Sequence, residues 1–251
     1  MSYMTVVLVH GNPETDAIWG PLVDALERED VVRLSPPGFG APLDDGFPAT
    51  YLAYRDWLET QLEGVDEPIN LVGHDWGGGH VVNAMMHRPE LVRSWASDAV
   101  GLFDPEYIWH DLAQVWQTPG EGEQLVHTML GGTVQDRAAR MAALGIPMDI
   151  ATSVAAAQGP DMGRAILSLY RSARQPAMAE AGRELQKAAA RPGLSLLATE
   201  DPYIGSDELR RRAADRAGAR TEVLEGLGHW WMVQDPARGA AALVRFWESL
   251  G

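Results

Sequence analysis

Six short, predominantly apolar runs, each cut off from the next by a helical pattern, leave this chain few ways to fold. They are Thr5–Val9, Val31–Ser35, Ile69–Val72, Val92–Ser97, Leu194–Ala198 and Thr221–Leu224. Strands of this kind need cover on both faces, the condition of a parallel sheet flanked by helices. Between them the spacing predicts helices over Trp19–Arg28, Thr50–Glu63 and Gly77–His87. In the second, Tyr51, Tyr54, Leu58 and Leu62 recur at helical spacing. The third stops short of Pro89, which cannot continue it. Ser206 and Asp235 read as N-caps, the latter followed by Pro236 at the first helical position.

One interval breaks the alternation. From 101 to 190 there are helical patterns and loops, Ala-rich from 133, and no convincing strand. The expected organisation is an α/β core over 1–100 and 191–251, with a helical lid inserted after the fourth strand. Trp109, Trp116, Met129 and Met141 would mostly form the lid's own core.

The third strand runs into "NLVGHDWGGGH", Asn70 to His80. Strand, Gly-x-nucleophile-x-Gly and helix make the nucleophile elbow of α/β-hydrolases. The turn is strained, so Gly73, Gly77 and Gly78 provide room while the side chain of Asp75 stands exposed. A lone match is weak, but partners follow in chain order. His10-Gly11-Asn12-Pro13 follows the first strand, Asp201 the fifth and His229 the last. The order nucleophile, acid, base is that of this fold.

With an aspartate at the elbow, the chain resembles the epoxide hydrolase and haloalkane dehalogenase branch of the α/β-hydrolases, many of which share "GHDWGG". Relatives usually carry two more strands in front of the HGxP loop. Only four residues precede Thr5 here, so the expected sheet is shortened, all parallel and about six strands wide. The resemblance implies Asp75 as nucleophile, forming an alkyl-enzyme ester, and His229 as the base that activates water. It implies Asp201 as the acid orienting His229, with Asp98 as the alternative. The N–H groups of Asn12 and Trp76 would form the oxyanion hole. A carboxylate is already ionised near neutrality and needs no base to attack.

The two branches differ in how the leaving group is received. An opening epoxide needs a proton donor, usually two lid tyrosines, whereas a halide needs N–H donors. "AILSLYRSA" resembles one tyrosine segment and makes Tyr170 the candidate donor. In "LAQVWQTPGEGE" the second tyrosine position falls on Leu112, with Tyr107 as a possible substitute. Asn12 together with Trp76 is the donor pair of a dehalogenase. "GHWW" around His229 and "HDWGG" favour epoxide hydrolysis, which is the leading reading; haloalkane dehalogenation is the alternative.

Plainer roles fit the remaining candidates. His10 reads as a loop-fixing hydrogen-bonder, His74 as structural, and His80 and His87 as packing or surface residues. His110 and His127 in the lid have no carboxylate cluster to suggest a metal, and "ELRRRAADRAGAR" is a solvated helix face. An esterase would want serine at the elbow. A non-catalytic binding protein would retain the pocket and lose the chemistry, which an intact Asp75, His229 and Asp201 argues against.

Composition sets the outer limits. With no cysteine, disulfides, thiolate catalysis and cysteine metal sites are excluded, and a reducing cytoplasm is the expected location. A formal charge of −15 opposes binding to nucleic acid or an anionic membrane. No run is apolar enough for a transmembrane helix, and the N-terminus has no signal-peptide pattern. The expected partner is a small apolar substrate, with no cofactor and no metal; oligomeric state leaves no mark in the pattern.

Overall fold

The computed structural model describes residues 4–66 and 68–251. The sheet has six strands, all parallel: β1 (Thr5–Val9), β2 (Val31–Leu34), β3 (Ile69–Gly73), β4 (Ser94–Ser97), β5 (Gly193–Ala198) and β6 (Ala219–Leu224). Their order is β2-β1-β3-β4-β5-β6. The chain runs outward from β1 to β2, then crosses back to place β3 on the other side of β1. That reversal opens a crevice between the loops leaving β1 and β3, the place where open parallel sheets bind ligands.

The apolar runs become strands because alternate side chains enter two separate cores. Val7 and Val9 of β1 point into one and Val6 and Leu8 into the other, all fully buried. The first core is closed by α2 (Tyr51–Glu63), α3 (Trp76–His87) and α10 (Asp207–Arg216); the second by α1 (Gly20–Leu26) and α12 (Pro236–Glu248). The anticipated caps Ser206 and Asp235 are present, and Thr50, expected as the first residue of its helix, caps it instead. Thr50 accepts from the Ala53 N–H, Ser206 from Leu209 and Asp235 from Arg238.

Boundaries shift for local reasons. The expected start of the first helix at Trp19 belongs to a 3-10 turn, Asp16–Trp19, capped by Thr15, and the α-helix begins at Gly20 with Pro21 behind it. It ends at Leu26 because Glu27 adopts a left-handed conformation, φ 51°. The fourth strand begins at Ser94, two residues late, after the turn Pro89–Leu91.

Between β4 and β5 lie α4 (Asp111–Gln117), α5 (Glu121–Leu130), α6 (Val134–Ala143), α7 (Met148–Ala157), α8 (Pro160–Ser172) and α9 (Ala177–Ala181). This insertion is divided. Residues of α4, α5 and α8 join the first core, whereas α6 and α7 pack with Ile18, Trp230 and Met232 in the second. Its closing segment, Gly182–Ala190, lies on the sheet domain, where the Ala188 carbonyl accepts the indole N–H of Trp95 at 3.2 Å. The sequence had placed those residues in the lid. Their amphipathic pattern is the same whether a helix covers a site or a sheet, so periodicity could not separate the two.

Candidate active site

Asp75 is the second of the two residues between β3 and α3, with φ 49° and ψ −125°. A β-carbon-bearing residue in such a conformation costs about 1–3 kcal/mol, and the surroundings must enforce it. They do so by close approach. A β-carbon on Gly77 would collide with the Val9 carbonyl, and one on Gly11 with the Asp75 carboxylate itself. From behind, the Asp75 N–H donates to Asp98 Oδ1 at 2.9 Å.

The Asp75 carboxylate is only 7% exposed. Its Oδ2 accepts the Asn12 backbone N–H at 3.0 Å and the Asn12 side-chain amide at 3.4 Å. Among the described residues Oδ1 has no hydrogen-bond donor, which leaves it available for attack. Burial raises the carboxyl pKa to about 6, against the opposing pull of His229, His74 and the Asn12 N–H. The group is therefore less acidic than the sequence reading assumed, yet largely ionised at neutrality.

His229 follows β6 and lies 6% exposed. Its Nδ1 is 2.9 Å from Asp201 Oδ2, while Asp201 Oδ1 accepts the Tyr203 N–H at 2.9 Å. That bond assigns the proton to Nδ1 and leaves Nε2 as the basic nitrogen. Burial disfavours charge on both partners, but the pairing prevails: Asp201 drops to about 2 and His229 rises above its ordinary 6.5.

Asp98, the alternative acid, is placed elsewhere. Its Oδ2 lies 2.5 Å from His74 Nδ1 and accepts the Trp231 indole N–H at 2.7 Å. It supports the elbow and makes no bond to His229. On the other side of His74 stands Glu14, with Oε1 3.3 Å from Nε2. Burial alone would discharge His74, but Asp98 and Glu14 together raise its pKa well above 6.5. Glu14, fully buried, falls to about 2, chiefly because His74 outweighs its own desolvation. Sequence reasoning passed over Glu14. The one available signal was a carboxylate directly after the "HGNP" loop, in a stretch otherwise built for burial.

The insertion supplies an aromatic wall. Tyr170, on α8, is 3% exposed, and its hydroxyl lies 3.3 Å from the Asn12 side-chain amide. Its ring packs on Trp76, Trp109 and Trp116 at centroid distances of 5.6, 5.3 and 4.7 Å. Among the described residues the indole N–H groups of those three tryptophans are buried without a partner. Trp76, the first residue of α3, stacks between Trp109 and His80. Tyr107 does not fill the vacant tyrosine position, since its hydroxyl donates to the Tyr203 carbonyl at 2.8 Å. Leu112 is packing against the first core.

His110 is the second residue that sequence reasoning missed. It caps α4, Nδ1 accepting the Ala113 N–H at 3.2 Å, so the neutral ring carries its proton on Nε2. Burial lowers its pKa to about 4. The ring lies 5.0 Å from Tyr203 and 6.4 Å from Tyr170, and no described residue accepts from Nε2. The signal was positional: a histidine where Ser, Thr, Asn or Asp usually caps.

Glu14, His74 and His229 bring potential metal-ligand atoms within 4.8 Å of one another. The charges already present argue for a salt-bridged network instead. His74 is held protonated between two carboxylates and His229 is committed to Asp201, so a divalent ion would have to displace a proton to find a ligand.

The chain belongs to the Alpha/beta hydrolase family, whose pattern it matches over residues 6–242. No curated protein matches it significantly. Among solved structures it is similar to a loop variant of a haloalkane dehalogenase from Bradyrhizobium elkanii, with TM-score 0.71 and 19% identity, over 99% of this chain and 91% of that one. It is also similar to an E-2-(acetamidomethylene)succinate hydrolase (0.74, 18%, 98% and 91%) and to the thioesterase domain of a curacin biosynthetic pathway (0.72, 16%, 97% and 92%). At these identities the likeness establishes the α/β-hydrolase fold and does not choose among chemistries. Among the described residues no helix is long and apolar enough to cross a membrane.

Proposed function

We propose that this protein is a cofactor-independent, cytoplasmic hydrolase that opens small, largely apolar epoxides to diols through an ester on Asp75. The observation that carries the reading is the position of the Tyr170 hydroxyl. It is linked through the Asn12 amide, at 3.3 and 3.4 Å, to the nucleophilic carboxylate. This supports Tyr170 as the proton donor to an alkoxide formed beside Asp75, while the amide that a halide would require already donates to Tyr170 and Asp75.

In the first step Asp75 Oδ1 attacks an epoxide carbon and the C–O bond of the ring breaks. The released oxygen takes its proton from Tyr170, with His110 Nε2–H as second donor in place of the missing tyrosine. Tyr170 is held well above its ordinary pKa of 10 by burial and by the Asp75 charge. Ester formation abolishes that charge, so the phenol becomes a stronger acid just as the alkoxide appears.

In the second step His229 Nε2 removes a proton from water, whose oxygen attacks the Asp75 carbonyl carbon. Negative charge develops on the oxygen facing the backbone N–H of Asn12, with the N–H of Trp76 as the second donor. The proton on His229 then passes to the departing diol oxygen, and the proton left on the regenerated Asp75 carboxyl returns to the Tyr170 phenolate. The insertion acts as the lid, and the near-complete burial of Asp75, His229 and Tyr170 favours a small substrate admitted when the lid opens.

A second reading, haloalkane dehalogenation, draws support from the unpartnered indole N–H groups of Trp76 and Trp109, which could receive a halide. Intact-protein mass spectrometry of His229→Gln after incubation with paired epoxides and alkyl halides decides between them. Without the base the ester should persist. An adduct equal in mass to the whole epoxide supports the first reading, and an alkyl adduct without its halogen supports the second. Absence of any adduct across a broad panel would overturn both and favour a binding protein.

A further inference from the structure

Asn12, Asp75 and His229 arrive at the site on three loops, after β1, β3 and β6, and a reaction in two steps needs all three held in register. The side chain of Glu14 reaches all of these loops. Oε2 of Glu14 accepts the N–H of Gly11, the residue before Asn12, at 3.3 Å. Oε1 accepts the indole N–H of Trp230, the residue after His229. The same oxygen faces Nε2 of His74, the residue before Asp75, at 3.3 Å. Each contact falls on the immediate chain neighbour of a site residue.

We propose that Glu14 is a positioning residue that fixes the base loop and the oxyanion loop against the nucleophile elbow, using Trp230 as its lever on His229. The proposal rests on the two-step reading above for its kinetic test and on geometry alone for its spectroscopic one. Stability does not explain the arrangement. A fully buried carboxylate beside a fully buried imidazolium costs desolvation, and apolar replacements for such pairs are often neutral or stabilising. What an apolar residue could not supply is a common anchor for two N–H donors and an ion-pair partner drawn from the three loops. The His74 and His229 rings lie 4.6 Å apart, so the anchor also sets the charge facing the base.

Two variants separate the anchor from mere packing. Trp230→Phe keeps most of the ring and removes the donor; Glu14→Gln keeps the shape and removes the charge. In single-turnover mass spectrometry, Trp230→Phe should slow decay of the ester tenfold or more, since a displacement of about 1 Å can cost about 10²-fold. Ester formation, which uses Asp75 and Asn12, should change far less, so the ester accumulates.

The spectroscopic test follows the imidazole nitrogens of His229 by NMR through a pH titration, with no substrate. Asp201, Asp75, His74, Tyr203, Trp230 and, from the insertion, His110 also face or charge that ring, and all remain in Glu14→Gln. Asp98, 2.5 Å from His74, keeps its proton in place. Loss of the Glu14 charge should therefore move the His229 titration to lower pH. An unmoved titration overturns the proposal, as does an ester that decays at the wild-type rate in Trp230→Phe. Equal slowing of both steps with a lowered melting temperature would likewise reduce Glu14 to a structural role. If no substrate forms an ester at all, the reading of function fails and the titration alone decides this one.

Discussion

On the sheet side of the site, Asp75 Oδ2, Glu14, Asp98 and Asp201 accept hydrogen bonds from Asn12, Gly11, Trp230, Trp231 and Tyr203, none longer than 3.4 Å. On the facing wall, by contrast, the indole N–H groups of Trp109 and Trp116 are buried with no partner among the described residues, as is that of Trp76 at the seam. Buried donors are ordinarily satisfied, because leaving one unpaired costs about 1–3 kcal/mol. The carboxylates of the sheet side are held by these donors, although Asn12 Oδ1 and His74 Nε2 make no hydrogen bond among the described residues, whereas the insertion side holds indole donors in reserve. Changes on the first should affect turnover of every substrate, and changes on the second should affect which substrate is turned over.

The largest break in that comparison comes from the proposed nucleophile. Asp75→Asn should lower steady-state turnover by roughly 10⁴- to 10⁶-fold, the range seen when a nucleophile is removed, for epoxides and halides alike. Because the amide fills the same space, a ligand should still bind, and titration calorimetry with a poorly reactive epoxide analogue would show it. A substrate-selective loss would mean that another group attacks.

A smaller effect sharpens the opposite side. Tyr170→Phe keeps the ring that packs on three tryptophans and removes only the hydroxyl. Loss of a general acid typically costs about 10²–10⁴-fold, and here it should fall on epoxide opening while alkylation by a halide stays within about threefold. Equal losses on both substrates would show that Tyr170 serves to shape the wall. His110→Ala, measured alongside, should reduce epoxide opening less than Tyr170→Phe does, since among the described residues no hydrogen bond ties its ring to Asn12 or Asp75 as one ties Tyr170.

The same division explains what the sequence disclosed. The strands, the elbow and the caps at Ser206 and Asp235 were legible because each is enforced locally, by an apolar run, a glycine spacing or a side chain bonding three residues on. Asp75, Asn12 and His229 were legible because the loops leaving β1, β3 and β6 meet in any sheet of this topology. Which carboxylate serves which histidine was not, because Asp98 and Asp201 both follow strands at the same edge. Only the packed loops show that one faces His74 and the other His229. Glu14 and the imidazolium of His74 were illegible for the same reason, their partners being 60 and 216 residues away in sequence. On the insertion side an aromatic at helical spacing reads the same whether it packs or reacts. Tyr170 was reached through resemblance, and His110 was passed over.

The mildest perturbation is pH, and it acts on activity and stability in opposite directions. With the Asp75 carboxyl near 6, the rate of ester formation should fall about tenfold per unit as pH drops below that value, because only the ionised form attacks. Stopped-flow alkylation of His229→Gln is unsuited to this measurement, since His229 itself depresses the Asp75 pKa; single-turnover work on the wild type is required. The stability consequence has the reverse sign. The folded pKa lies above the unfolded 3.8, so between about pH 4 and 6 the unfolded chain binds fewer protons and the folded state loses stability as pH rises. The difference of about two units corresponds to about 3 kcal/mol at neutrality, an upper bound because Asp75 and His229 titrate as a pair. Asp201 and Glu14, both depressed to about 2, contribute oppositely: their stability is present above about pH 4 and is lost as pH falls toward 2. Denaturant unfolding of wild type and Asp75→Asn should therefore show the inactive variant to be the more stable at pH 7.5, with the gap closing by pH 4. A gap that stays constant with pH would place the Asp75 carboxyl at its ordinary value and remove the acid limb from the alkylation step.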